Sequence, residues 1–138
     1  MAKRPLQAQM EHDSVIADRE GLWKGDSRYS KSWTNPDGEQ NSSYELNGKK
    51  LYPDIIVKLE NKGAESYGLE EIETADSVNA NGVPQWKDYA ALRKAFFNLV
   101  VPTGSVAEAR RLAKGIATLV VGYSKNASGY SFTEGQAP

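Results

Sequence analysis

Residues 52–57, YPDIIV, and residues 68–74, GLEEIET, decide how the chain is read. Both have the aliphatic, β-branched content of buried strands. Yet Asp54 opens the first run, and Glu71 and Glu73 sit inside the second. Taking a carboxylate out of water costs several kcal/mol unless a hydrogen bond, a partner charge or a cation compensates. Side chains alternate along a strand, so Asp54, Ile56 and Lys58 share one face while Ile55 and Val57 take the other. Glu71 and Glu73 share a face as well, with Ile72 opposite. Pairing the two strands with these faces aligned brings three carboxylates together at the edge of an apolar sheet. Such an all-oxygen set suits a hard divalent cation, Mg²⁺ or Mn²⁺. The bland alternative is that acids at alternate positions are the solvated face of a half-exposed strand.

Working outward, Asn47-Gly48 separates SYEL from KKLYPDIIVKL. An Asn-Gly pair signals a hairpin because both central residues of a type I′ turn need positive φ. It predicts that residues 44–46 and 51–59 are antiparallel neighbours. The break ENKGAES then leads to YGLEEIET as a third strand, which makes a meander. Upstream, Pro5 to Trp23 reads as a helix, followed by a polar loop or irregular edge hairpin from Asp26 to Ser43. Downstream, Pro84 suits the first turn of a second helix, QWKDYAALRKAFF, with Trp86, Tyr89, Ala90, Arg93 and Phe97 along one side, Trp86 and Tyr89 as core packing rather than base-stacking surfaces. NLVVP reads as a buried strand. Ser105 and Glu108 have capping-box spacing for a third helix ending at Gly115, and IATLVVGY is a last strand. The predicted fold is α/β: a mixed central sheet in the order helix, three-strand meander, helix, strand, helix, strand, flanked by helices.

The 138 residues suffice for one domain, placed at 1–123, and the polar, Gly-rich residues 124–138 read as a flexible C-terminal tail. Seventeen basic against eighteen acidic residues produce no overall field that would attract a polyanion. The absence of cysteine excludes disulfides, thiolate zinc sites and cysteine nucleophiles. A single histidine, His12, argues against a histidine-rich metal site and is expected at the surface. No window approaches the length of a spanning apolar helix, so the expected location is cytoplasmic, with no membrane partner.

Pro53-Asp54 opening one strand, Glu71-Ile72-Glu73 in the next and an acid-bearing helix upstream resemble the PD-(D/E)XK nuclease superfamily, the restriction-endonuclease-like fold. The resemblance spans roughly residues 6 to 122 and includes the order of elements. It implies a nuclease that hydrolyses phosphodiester bonds of nucleic acid, DNA favoured, with Asp54, Glu71 and Glu73 at the metal. It also implies a contribution from a helix glutamate, matched here to Glu11. Members this small commonly act as homodimers on DNA or supply the catalytic domain of a larger machine. Glu73 departs from the pattern by standing where the motif has lysine; it can ligate a metal or act as a general base but supplies no positive charge.

Three lysines are candidate substitutes: Lys58, about 13 Å along the strand from Asp54; Lys62, between the strands; and Lys87, near the start of the second helix. Thr74, Asp76 and Ser77 read as a turn after the acids. Trp23, Lys24, Arg28, Tyr29, Lys31 and Trp33 form an aromatic-basic mixture of the kind that can grip single strands. The competing function is a catalytically inactive domain of the same fold, serving as a nucleic-acid-binding or protein-interaction module.

Overall fold

A computed structural model describes residues 4–138. The chain begins with helix α1 (Leu6–Lys24), whose inward residues are His12, Val15, Ile16 and Arg19. Their spacing is that of one helix face, but two of the four are polar, which is why the apolar stripe looks imperfect in the sequence. Then come strands β1 (Tyr29–Thr34), β2 (Tyr44–Leu46), β3 (Lys49–Leu51), β4 (Ile55–Asn61) and β5 (Ala64–Ile72). Helix α2 (Val83–Ala91), strand β6 (Phe96–Pro102), helix α3 (Val106–Leu112) and strands β7 (Leu119–Asn126) and β8 (Gly129–Phe132) complete the order.

Six strands form one sheet in the order β1-β4-β5-β6-β7-β8. The pairs β1–β4, β4–β5 and β7–β8 are antiparallel, whereas β5–β6 and β6–β7 are parallel. The predicted class holds: a mixed sheet flanked by helices, with a meander followed by helical crossovers, broadly consistent with a PD-(D/E)XK-like architecture. Among the described residues, no helix is long and apolar enough to cross a membrane.

The membership of the meander differs from expectation. Its first strand is β1, from the stretch read as a polar loop or irregular edge hairpin, while β2 and β3 form a separate two-stranded sheet. The type I′ turn at Asn47 and Gly48 is as predicted, with φ of 51° and 81°. However, Pro53 interrupts the run after Leu51, since proline cannot donate to a strand ladder. β1 escaped notice because YSKSWT is a polar edge strand, paired on one side only.

Three further expectations are corrected. The second helix ends at Ala91, Arg93 takes a positive φ of 52°, and Phe97 belongs to β6. The Ser105 hydroxyl caps nothing, and Glu108 pairs with Arg111 instead. Residues 124–138 are no loose tail: β8 pairs with β7, Thr133 N donates to Gly122 O at 2.8 Å, and Gln136 bridges to Val120. Tyr130 and Phe132 pack against the core there, so the Gly-rich composition conceals an edge strand.

Two cores lie on the two faces of the sheet. Ile56, Leu69, Leu99 and Val101 pack with Trp86, Tyr89 and Ala109 from α2 and α3. On the other face, Ile55, Ile72, Val100 and Val121 meet Val15 and Ile16 of α1. The period-2 alternation of β4 and β5 therefore sends successive residues into different cores.

Candidate active site

The β4–β5 register pairs Ile55 with Glu70, which puts Asp54 opposite Glu71. Asp54 N donates to Glu71 Oε1 at 3.2 Å, and Ile72 N donates to Asp54 Oδ2 at 2.8 Å. Just beyond β5, Glu73 N donates to Val100 O at 2.9 Å, so that residue is held by β6. Asp54, Glu71 and Glu73 all line one open cleft of about 950 Å³. Its walls are the 35–40 loop and β3 on one side, and the Asp76–Tyr89 segment on the other.

All three acids are at least nine-tenths buried: Asp54 is 6%, Glu71 5% and Glu73 3% exposed. Burial, then the charges of Asp54 and Glu73, pushes the Glu71 carboxyl well above its ordinary range. Burial followed by the charge of Asp54 raises Glu73 to about 7, although Arg4 opposes the shift. Asp54 Oδ1 and Glu71 Oε2 receive no hydrogen bond from the described residues and are not sealed from solvent.

Two cations partly balance this charge. His12 is fully buried, contrary to the expected surface position, because it lies on the inner face of α1 one turn before Val15 and Ile16. Its Nε2 is 3.0 Å from Asp54 Oδ2, and its Nδ1 is 3.1 Å from Asp13 and 3.4 Å from Asp37. Burial opposes the charged ring, but the hydrogen bond and charge of Asp54 outweigh it and raise His12 to about 9. That shift favours an imidazolium at neutral pH, able to donate from both nitrogens. Arg4 is the second cation: its Nη1 is 3.1 Å from Asp37, and its Nη2 is 3.3 Å from Glu73 and 3.4 Å from the Ile72 carbonyl.

The other candidates lie elsewhere. Tyr123 donates its hydroxyl to Glu11 at 2.7 Å and to the Glu73 carbonyl at 3.0 Å, so Glu11 meets the acid strand only through that phenol. It does not line the cleft; α1 reaches Asp54 through the next residue, His12. Lys58 turns to Glu65 and Glu60, at 3.1 and 3.6 Å. Lys62 is a hairpin-turn residue, and Lys87 is exposed. None of these three lines the cleft, whose lysines are Lys49 and Lys50. Trp86 and Tyr89 pack in the core as expected, and Trp86 Nε1 approaches Glu73 at 3.4 Å. Thr74 and Ser77 close a turn through reciprocal bonds. In the aromatic-basic stretch, Trp23 stacks on Phe96 and Trp33 on Tyr67, with Lys31 over the Trp33 ring.

His12, Asp13 and Asp37 each offer a ligand atom within 4.8 Å of the others, a group that a divalent cation can in principle bridge. Both imidazole nitrogens are already committed to carboxylates, so ligation there must first displace protons. The Asp54 and Glu71 pair instead offers one oxygen on each residue without a hydrogen bond from the described residues.

A fourth buried acid, Glu70, faces α1 and is closed off. Arg19 donates from Nε and Nη2 to its two oxygens, each at 2.8 Å, with Trp23 Nε1 at 2.9 Å and Asn98 Nδ2 at 3.0 Å.

Sequence reasoning missed His12, Arg4, Asp37 and Glu70. For His12 a signal existed in its helical spacing to Val15, Ile16 and Arg19; for Arg4, outside any periodic element, there was none. Compared with protein-family models, curated proteins and solved structures, the chain matches none.

Proposed function

We propose that the protein is a metal-dependent nuclease that hydrolyses phosphodiester bonds of nucleic acid, DNA favoured, with Asp54 and Glu71 holding Mg²⁺ or Mn²⁺. The observation that carries this reading is the strand register: it sets the PD aspartate directly across from the first acid of Glu-x-Glu, in an open cleft that Glu73 also lines. The donor set fits a hard cation, with one oxygen each on Asp54 and Glu71 free of protein hydrogen bonds among the described residues. When bound, such an ion supplies Lewis-acid polarisation of a phosphate and acidifies a water.

The chain's own groups prepare that site. The Ile72 amide and His12 fix one oxygen of Asp54, and the Asp54 amide fixes one oxygen of Glu71. Glu73, with its pKa near 7, is poised as a general base for a water molecule. Because a domain of this size covers little duplex, the proposed acting unit is a homodimer or the catalytic domain of a larger assembly, which sedimentation with and without DNA tests.

The test is cleavage of single- and double-stranded DNA and RNA in Mg²⁺ or Mn²⁺. Asp54→Asn and Glu71→Gln should abolish cleavage while leaving the far-ultraviolet circular dichroism unchanged. Cleavage that survives both substitutions sinks the assignment.

One observation favours the second reading, an inactive binding module. The cleft holds seven acidic side chains against three basic ones, and Glu73 occupies the lysine position. Metal-sensitive oligonucleotide binding with no cleavage of any substrate would select it.

A further inference from the structure

A site that hydrolyses a phosphodiester needs positive charge beside the metal, and Glu73 supplies none. Arg4 lies in that place. It lines the cleft with Asp54, Glu71 and Glu73, and its side chain is only 14% exposed. Glu73 and Asp37 hold its two terminal nitrogens at 3.3 and 3.1 Å, and the Ile72 carbonyl takes a further bond from Nη2. The guanidinium is thus tied to the strand that carries Glu71, with its Nε turned inward and its terminal nitrogens held by acids of the cleft wall.

The other basic groups of the cleft are less suited. Lys49 is 67% exposed and bridges to Asp88 on the opposite wall, and Lys50 extends from the exposed hairpin strand β3. The three lysines the sequence offers do not line the cleft at all.

We propose that Arg4 is the phosphate-binding cation of this site, seated by Glu73 and Asp37, so that Glu73 at the lysine position supports a positive charge instead of carrying one. The proposal rests on the nucleic-acid reading of the cleft but not on hydrolysis. The alternative is that Arg4 merely neutralises two acids and fastens the chain preceding α1.

The experiment separates these roles by binding in Ca²⁺, used to suppress cleavage, with fluorescein-labelled single-stranded and duplex oligonucleotides. Arg4→Ala should weaken oligonucleotide affinity roughly ten- to a hundredfold, the worth of a charge-assisted pair. Arg4→Lys should recover part of that loss. Mn²⁺ affinity, read by calorimetry without nucleic acid, should be equal or tighter in Arg4→Ala, because a competing cation has gone. The decisive variant is Arg4→Ala with Glu73→Lys, which returns the charge to the motif position and should restore most of the binding. If Arg4→Ala unfolds the protein, Arg4→Met keeps the packed stem and is measured in its place. Oligonucleotide affinity within about twofold of the parent protein overturns the proposal, and so does a double variant no better than Arg4→Ala. Binding that depends on Arg4 while no variant cleaves anything overturns hydrolysis and leaves the Arg4 assignment standing.

Discussion

Glu70 and Glu71 are consecutive, equally removed from water, and on opposite faces of β5, where their surroundings differ in kind. Glu70 meets a bidentate arginine, an indole N–H and an amide, four donors for one carboxylate. Glu71 meets Asp54 and Glu73, two further acids, and a single backbone N–H. On the α1 face the burial cost is met inside the protein. On the cleft face His12 and Arg4 balance the acids only in part, and the proposed metal would meet the remainder.

The largest test of this contrast is to remove one acid from each face. Glu70→Ala strands the Arg19 guanidinium in the core and should cost about 3–5 kcal/mol in urea denaturation. Glu71→Gln, measured without divalent metal, should leave stability unchanged or raised, because it removes a repulsive partner. Equal losses in both variants would erase the distinction between the faces.

The next effect is in pH. The folded pKa of Glu73, about 7, lies above its ordinary 4.5, so the folded state keeps a proton that the unfolded chain releases. Metal-free stability should therefore fall as pH rises from about 4.5 to about 7, by on the order of 3 kcal/mol. His12 acts in the same direction over a higher window: its charged form stabilises fully below 6.5, and that contribution is lost as pH rises through about 9. Denaturation across this range checks the slope, and a profile rising with pH would contradict it. Mn²⁺ should flatten the lower part, and at about a hundredfold over its Kd it should add about 2.7 kcal/mol. Asp54→Asn should abolish that gain.

A smaller effect concerns the roof of the Glu70 side. Phe96 pairs with Gly68 and covers it so closely that an added Cβ would sit 2.0 Å from the ring. The same ring stacks on Trp23, a donor to Glu70. Gly68→Ala should cost about 1–3 kcal/mol, read by thermal denaturation, through overpacking. The smallest expected change is at Lys58, whose partners Glu60 and Glu65 are surface acids. Lys58→Ala should move stability by no more than about 1 kcal/mol and leave cleavage unaltered.

The sequence disclosed the cleft face better than the closed one, for a physical reason. Alternation within two strands joined by a hairpin is local, so the convergence of Asp54 with Glu71 follows from a register that the Lys62-Gly63 turn fixes. The partner of Glu70 lies far upstream on α1, and nothing near Arg19 marks it as anything but a solvated helix residue. Arg4 belongs to the same class, since a long-range ion pair leaves no periodic trace. Edge strands are hard to read because only one of their faces is covered. YSKSWT and GYSF both pass for loops until β4 and β7 are known to need neighbours. Phe97 was misassigned because FFNLVV is apolar throughout, a pattern that fits a buried strand as well as a helix end.

The β2–β3 hairpin lies between two strands of the main sheet in sequence but pairs its backbone only with itself. Its strand Lys49–Leu51 forms part of the cleft wall. Leu51 anchors it in the core, with Tyr44 and Leu46 packed alongside, while its exposed residues Glu45, Lys49 and Lys50 can change without touching the β4–β5 ladder. If the cleft is the proposed active site, a lineage built on this chain would vary recognition at the exposed positions of this hairpin while residues 54 and 71 stayed fixed.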